Sequence, residues 1–501
     1  MSNPYLHNGT AFYPFVFLRG YAMRDNDIEA AVADPFSGFS GGSTKFRQDF
    51  DGAIEPFYFE SPVVRLITDY GYQDVYQNGY EPRRAEELKR HSDPGKGLWV
   101  YRYYERASAD FGDGQRDSIL DFAIGLDELI EKIRGLYREL GQDYDQHFRV
   151  FLVAHSMGGL IVRSYLQNVL RDREDTPVDK VFTYGTPHNG IELRGVGNAI
   201  NVGLFDISNF YRPNIRKFLA LNDDTPVNSL DGQFDPDRFF CLVGTNHRDY
   251  NIPSSRAAVG PLSDGLVRSK NAWVKGAPRG YVFRAHGGSL GMVNSEDGYQ
   301  NLARFFFGDT RVNGKLVITD IALPKKIAKA VVEGREVNAN FYFDAVVSVR
   351  GAQGWNLSRR RYDEGSSIRR SLDNLPVGEN PPVTLFTSFL DRKEIIGNRR
   401  NIAFQIDLRI STDRFQIDRD FWFDGIFDGL DYLRKTITVE VGPPTEEVWR
   451  LKWSERSYES GFTFAEASVT ENGYLYEIPV EAPGPPKITA VIILEASDRT
   501  P

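Results

Sequence analysis

The segment Val150-Phe-Leu-Val-Ala-His-Ser-Met-Gly-Gly-Leu160 constrains this chain more than any other. An apolar strand run enters a turn without a linker. A helical pattern follows at once, carried by Leu160, Ile161, Tyr165, Leu166, Val169 and Leu170. In so sharp a turn the strand and helix backbones crowd each other, so the positions two before and two after Ser156 must be small. They are Ala154 and Gly158. The serine at the apex is expected to sit in a strained conformation with its hydroxyl above a sheet. The helix behind it aims its first N–H groups and its positive dipole end at the same point.

The alternation of strand and helix extends over residues 1–310. Phe15–Leu18 and Leu98–Tyr104 are strand runs. Ile119, Phe122, Leu126, Leu129, Ile130, Ile133, Leu136 and Leu140 recur at helical spacing. Val150–Val153, Lys180–Tyr184, Phe239–Val243 and Tyr281–Ala285 are further strand runs. Near-continuous apolar strands separated by helices predict an α/β unit: a mostly parallel sheet with helices on both faces. Two long stretches interrupt it, 24–97 and 191–237, the second carrying scattered Phe205, Phe210, Tyr211, Phe218 and Leu221. Segments of this kind inside a compact domain are read as a cap or lid. Over 311–501 the period becomes two. Ile402, Phe404, Ile406, Leu408 and Ile410 alternate with other residues, as do Ile437, Val439 and Val441, and then Trp449, Leu451 and Trp453. This predicts an all-β sandwich module with Trp449 and Trp453 in its core.

Composition removes several classes of function. With 60 basic against 69 acidic residues and a net charge of −9, the chain lacks the clustered positive excess that coats nucleic acid. The single cysteine, Cys241, excludes an internal disulfide and sits in an apolar strand, where packing is the expected role. No apolar run approaches the roughly 20 residues that span a bilayer. Residues Met1–His7 show neither a basic nor an apolar leader region, so a cytoplasmic location is expected. Neither a metal-ligand motif nor a nucleotide-binding loop is present, and no cofactor and no metal are expected.

The Ala-His-Ser-Met-Gly turn between strand and helix resembles the nucleophile elbow of the α/β-hydrolase superfamily, in the form carried by a subset of bacterial lipases. The resemblance covers 1–310 and implies a serine esterase with Ser156 as nucleophile, followed in chain order by an acid and a histidine. Three histidines lie beyond the elbow: His188, His247 and His286. His188 sits in Gly185-Thr-Pro-His-Asn-Gly190, which resembles a pocket-wall segment of lipases. His286 follows the last apolar strand, where the family places its base. Ser263-Asp-Gly-Leu-Val267 resembles the lipase acid element, which makes Asp264 the expected acid and Asp249 its nearest competitor. The oxyanion hole implied by the resemblance uses the backbone N–H of Met157 and of Tyr21, in Arg19-Gly20-Tyr21, where lipases usually carry His before the glycine. Some lipases hold calcium through an acid two positions beyond the base; here that position is Gly288.

The function expected from these residues is hydrolysis of an apolar, aromatic or lipid-like ester through an acyl-enzyme. Acyl transfer on the same three residues is the alternative within enzymes. A binding or scaffold protein with a vestigial core, dominated by a β-module that docks a partner or surface, is the alternative outside them.

Overall fold

A computed structural model describes residues 3–20, 36, 39, 43–48, 54–59, 61–77, 81–105, 117–191, 207–288, 290–350, 352, 354–391, 402–418, 426–445, 448–455, 461–471, 473–482, 484 and 486–499. The chain forms two compact units. One comprises Met1–Arg279 and Arg284–Phe307, the other Gly280–Phe283 and Gly308–Thr500.

In the first unit, six strands lie side by side: β1 (Phe15–Leu18), β2 (Gln73–Asp74), β3 (Gly97–Tyr101), β4 (Val150–His155), β5 (Val178–Tyr184) and β6 (Phe239–Gly244). Their order is β6-β5-β4-β1-β3-β2, and every pairing among them is parallel. Strands β1 and β6 are buried at every position, as a sheet covered on both faces requires. The order runs outward in opposite directions from the β4–β1 pair. In such sheets the crevice beyond the carboxyl ends of the strands at this reversal is where ligands bind. Gly20 follows the end of β1 and Ser156 the end of β4, so both emerge at that crevice.

Aromatic side chains cover one face. The register sets Phe15 beside Phe151, and Phe182 beside Phe240. Helix α4 (Glu296–Phe307) lays Phe305 and Phe306 on them, with ring centroids at 4.8 Å for Phe15–Phe306, 4.6 Å for Phe151–Phe306 and 5.3 Å for Phe240–Phe305. Each such pair adds roughly 0.5–1.5 kcal/mol beyond its buried area. Helix α3 (Met157–Ser164) leaves β4 directly and packs against α2 (Ile119–Leu140). Ser118 starts α2: its hydroxyl accepts from the Asp121 N–H, and the Asp121 carboxylate accepts from the Ser118 N–H. The buried stripe of α2 is Ile119, Phe122, Ala123, Leu126, Ile130, Ile133 and Tyr137. Leu129, Leu136 and Leu140 are only half-buried, because a 3.6-residue period running through Leu126, Ile130 and Ile133 leaves them at the stripe's edge and brings Tyr137 into it.

Within the segment 24–97, helix α1 (Pro62–Tyr70) leads into the edge strand β2. A two-residue strand is too short to show a period, which is why the sequence pattern there is weak. The 191–237 segment holds a helix at Arg212–Phe218. Phe210, Phe218 and Leu221 turn inward and are buried, Tyr211 is exposed, and Phe205 lies outside the described residues. Among the described residues no helix is long and apolar enough to cross a membrane.

The second unit is strand-rich. A five-stranded antiparallel sheet is built on Thr310–Ile321 and Ile488–Asp498, and a second antiparallel sheet on Val337–Val349, Ile402–Ile417 and Asp431–Thr445. One hydrophobic cluster draws on both sheets. Ile402, Phe404, Ile406, Leu408 and Ile410 from one meet Leu316, Ile318, Ile492 and Leu494 from the other. Leu451 is buried there and Trp453 packs against the cluster, while the side chain of Trp449 lies outside the described residues.

Candidate active site

Ser156 occupies the turn between β4 and α3 with φ 53° and ψ −121°, a region that non-glycine residues rarely enter and that costs on the order of 1–3 kcal/mol. The surroundings hold it there. The Ser156 N–H donates to the Tyr184 carbonyl at 2.9 Å. A Cβ at Gly158 would stand 2.7 Å from the Leu18 carbonyl oxygen and 2.6 Å from that of Arg19. A Cβ at Gly20 would stand 2.8 Å from the Ser156 Cβ. Strand end, helix start and the loop after β1 therefore close on one point only because these two positions lack side chains.

His286 lies between the strand Arg279–Val282 and α4. Its Nδ1 is 2.7 Å from Asp264 Oδ2, and its Nε2 is 2.9 Å from Ser156 Oγ. A carboxylate only accepts, so Nδ1 carries the proton, and Nε2 presents its lone pair to the serine hydroxyl. Ser156, Asp264 and His286 are 3%, 1% and 4% exposed, so the three groups interact out of bulk water. Asp264 is held by its own turn. Its Oδ1 accepts from the N–H groups of Leu266 at 3.0 Å and Val267 at 2.7 Å, and its carbonyl accepts from the His286 N–H at 2.9 Å. The Tyr250 ring stands edge-on to His286, with centroids 5.6 Å apart, and forms an apolar wall.

The other candidates lie elsewhere. Asp249 is exposed and accepts from the Asn246 amide at 2.6 Å. His188 is fully buried, and its Nε2 is 3.1 Å from Thr183 Oγ1. That hydroxyl already donates to the Phe240 carbonyl, so it must accept from His188. His247 is half-buried. Met157 is the first residue of α3, where an N–H has no acceptor within the helix. Tyr21 lies outside the described residues. Arg19 makes no ion pair among the described residues, and the loop is braced by Tyr103, whose hydroxyl donates to the Arg19 carbonyl at 2.8 Å. Among the described residues no group of three or more His, Cys, Asp or Glu side chains is placed to hold a metal ion.

Three residues whose contacts the sequence does not signal support this arrangement: Tyr103, His155 and Arg163. Arg163 on α3 is fully buried and, among the described residues, makes no ion pair with a carboxylate. Its Nη1 donates to the His188 carbonyl at 2.9 Å, its Nη2 to those of Val227 at 2.8 Å and Ser229 at 2.7 Å, and its Nε to the Gln167 side chain at 2.9 Å. Burial pushes its pKa down to about 9, which still leaves it charged at neutral pH. It pins two loops to the helix that carries the nucleophile position. Replacing it with Met strands three carbonyls and should destabilise the unit by about 3 kcal/mol, or roughly 5–10 °C in Tm. A shift below about 1 °C in a thermal melt would show that the clamp contributes nothing.

Two histidines add a pH dependence. Desolvation of its ring, then the neighbouring His286, push His155 down to about 3. Burial, then the Arg163 guanidinium, hold His188 well below the ordinary range. Both are neutral in the folded protein yet bind protons in the unfolded chain below about pH 6.5, so stability falls as pH drops through that value. Each can contribute up to about 1.4 kcal/mol per pH unit. The thermal midpoint should therefore fall between pH 7 and 5; a flat midpoint across that range would contradict their neutrality in the fold.

A family model for the PGAP1-like alpha/beta domain matches residues 106–203. Lipase 1 of Staphylococcus aureus strain N315 is 23% identical over 199 residues, covering 35% of this chain and 26% of that protein. A lipase of Staphylococcus epidermidis matches with the same identity, length and coverage. The chain thus spans 26% of the length of these curated relatives. Among solved structures, the product of gene lin2722 from Listeria innocua aligns over 58% of this chain and 93% of its own, at 13% identity and a TM-score of 0.28.

Proposed function

The chain is a member of the α/β-hydrolase superfamily, and from that premise we propose that it is a serine carboxylic-ester hydrolase acting through an acyl-enzyme. The observation that carries the reading is the buried chain of contacts from Asp264 through His286 to Ser156, at 2.7 and 2.9 Å. Ser156 Oγ attacks the acyl carbonyl carbon while its proton passes to His286 Nε2. Asp264 fixes the imidazole tautomer and stabilises the imidazolium. The Met157 N–H, with the Tyr21 N–H as second donor, binds the oxyanion. Collapse of the tetrahedral species expels the alcohol, which takes the proton from His286. Water then gives a proton to His286 as it attacks the acyl-serine, and collapse of the second tetrahedral species releases the acid while His286 returns that proton to Ser156 Oγ.

The short reach from Ser156 to His286 and the strained serine backbone both support a nucleophile held ready for attack, and the lipase relatives point to ester substrates. The test is a short-chain p-nitrophenyl ester under pre-steady-state conditions, together with a fluorophosphonate. A burst equal to the protein concentration and a phosphonyl adduct on the Ser156 peptide are expected. No turnover on a panel of esters, with no adduct, would sink the proposal.

A further inference from the structure

His155 ends β4, one residue before Ser156, and its side chain reaches across to the backbone of the base. Its Nε2 lies 2.9 Å from the His286 carbonyl oxygen. A carbonyl only accepts, so His155 is the Nε2–H tautomer and donates. The two imidazole centroids are 4.9 Å apart, with planes inclined by 41°. On its other edge, a Cβ at Gly20 would come within 2.9 Å of His155 Nδ1. One ring therefore touches the backbone of the base and the glycine of the loop after β1, and it belongs to the strand that carries Ser156.

We infer that His155 is a positioning residue for the proposed ester hydrolysis, whose Nε2–H anchors the His286 backbone to the nucleophile strand and so sets the reach from His286 Nε2 to Ser156 Oγ. The inference rests on the esterase reading of Ser156 and His286. The main chain of His286 is gripped at both of its polar groups. Its N–H donates to the Asp264 carbonyl at 2.9 Å, and its C=O accepts from His155 at the same distance. With both backbone groups fixed, only the side-chain torsions remain to aim the imidazole, and the Asp264 contact selects among those. Removing the His155 donor frees one of the two backbone restraints and leaves the carbonyl unpaired. Proton transfer tolerates little displacement, and a misplacement near 1 Å can cost on the order of a hundredfold in rate. His155 also suits the role electrostatically. It stays neutral beside His286, so it does not repel the positive charge that His286 acquires when it takes the serine proton.

The experiment compares His155→Phe, which keeps a flat ring without a donor, with His155→Gln, whose amide nitrogen can reach the place of Nε2. Fluorophosphonate labelling of Ser156 should slow about tenfold to hundredfold in His155→Phe and return to within about threefold of wild type in His155→Gln. His155→Asn, too short to reach the carbonyl, should be as slow as the Phe variant, and it serves if His155→Phe fails to fold. Unchanged labelling in His155→Phe, or equal loss in the Gln and Phe variants, overturns the inference. If wild-type Ser156 is not labelled at all, the esterase reading fails instead. The low-field NMR proton on His286 Nδ1 then still decides the positioning role. It should weaken or shift in His155→Phe and recover in His155→Gln, and an unmoved signal in His155→Phe overturns the inference.

Discussion

Ser156→Ala should remove the proposed ester hydrolysis while the protein remains folded. The Oγ atom makes its contact with His286 Nε2, and the backbone N–H that holds the turn to the Tyr184 carbonyl survives the substitution. Alanine at this positive φ is strained much as serine is, so the change in stability should stay within about 1 kcal/mol. The proposed chemistry has no such reserve, because among the described residues the Ser156 hydroxyl is the group that His286 Nε2 faces. Loss of a nucleophile that acts in concert with its base costs on the order of 10⁴ or more in rate, and what remains comes from binding and oxyanion stabilisation alone. Turnover of a p-nitrophenyl ester, measured beside circular dichroism and a thermal melt, checks both halves. Residual activity above about a tenth of wild type, with an unaltered melt, would remove Ser156 as the nucleophile.

Asp264→Asn leaves the same atoms in nearly the same places and should still cost about 10⁴ in kcat, with little change in KM. The amide oxygen can keep the N–H groups of Leu266 and Val267 that Oδ1 accepts now, so the turn persists. The amide nitrogen then faces His286 Nδ1 in place of an acceptor. Two donors opposed at 2.7 Å drive the imidazole to the other tautomer, with its proton on Nε2 and no lone pair for the Ser156 hydroxyl. Asp249→Asn is the control. That residue is exposed and bonded to Asn246, so its loss should change turnover by less than about threefold. A crippled Asp249 variant beside a mild Asp264 variant would reverse the assignment of the acid.

The local features of this molecule were legible from residue order. A strand, a small-residue turn and a helix in immediate succession mark Ser156 for a strained conformation, although the Tyr184 carbonyl and the Gly20 loop that hold it there come from elsewhere in the chain. The change from helical spacing to a period of two near residue 311 separates an α/β unit from an antiparallel β module, because side-chain direction follows directly from backbone geometry. The edge strand Gln73–Asp74 escaped notice, being too short to repeat anything.

What tertiary structure alone decided is which groups meet. Asp264 and His286 are 22 residues apart, and His286 and Ser156 are 130 apart, and no local pattern encodes a distance across such separations. Chain order left Asp249, His188 and His247 as rivals; in the fold it is Asp264 and His286 that make the contacts leading to Ser156, while Asp249 bonds to Asn246 and His188 to Thr183. The grip of His155 on the His286 carbonyl, of Tyr103 on that of Arg19, and of Arg163 on three loop carbonyls is invisible in the sequence for a further reason. Each side chain recognises a main-chain oxygen, which every residue possesses, so the identity of the partner leaves no mark on the sequence.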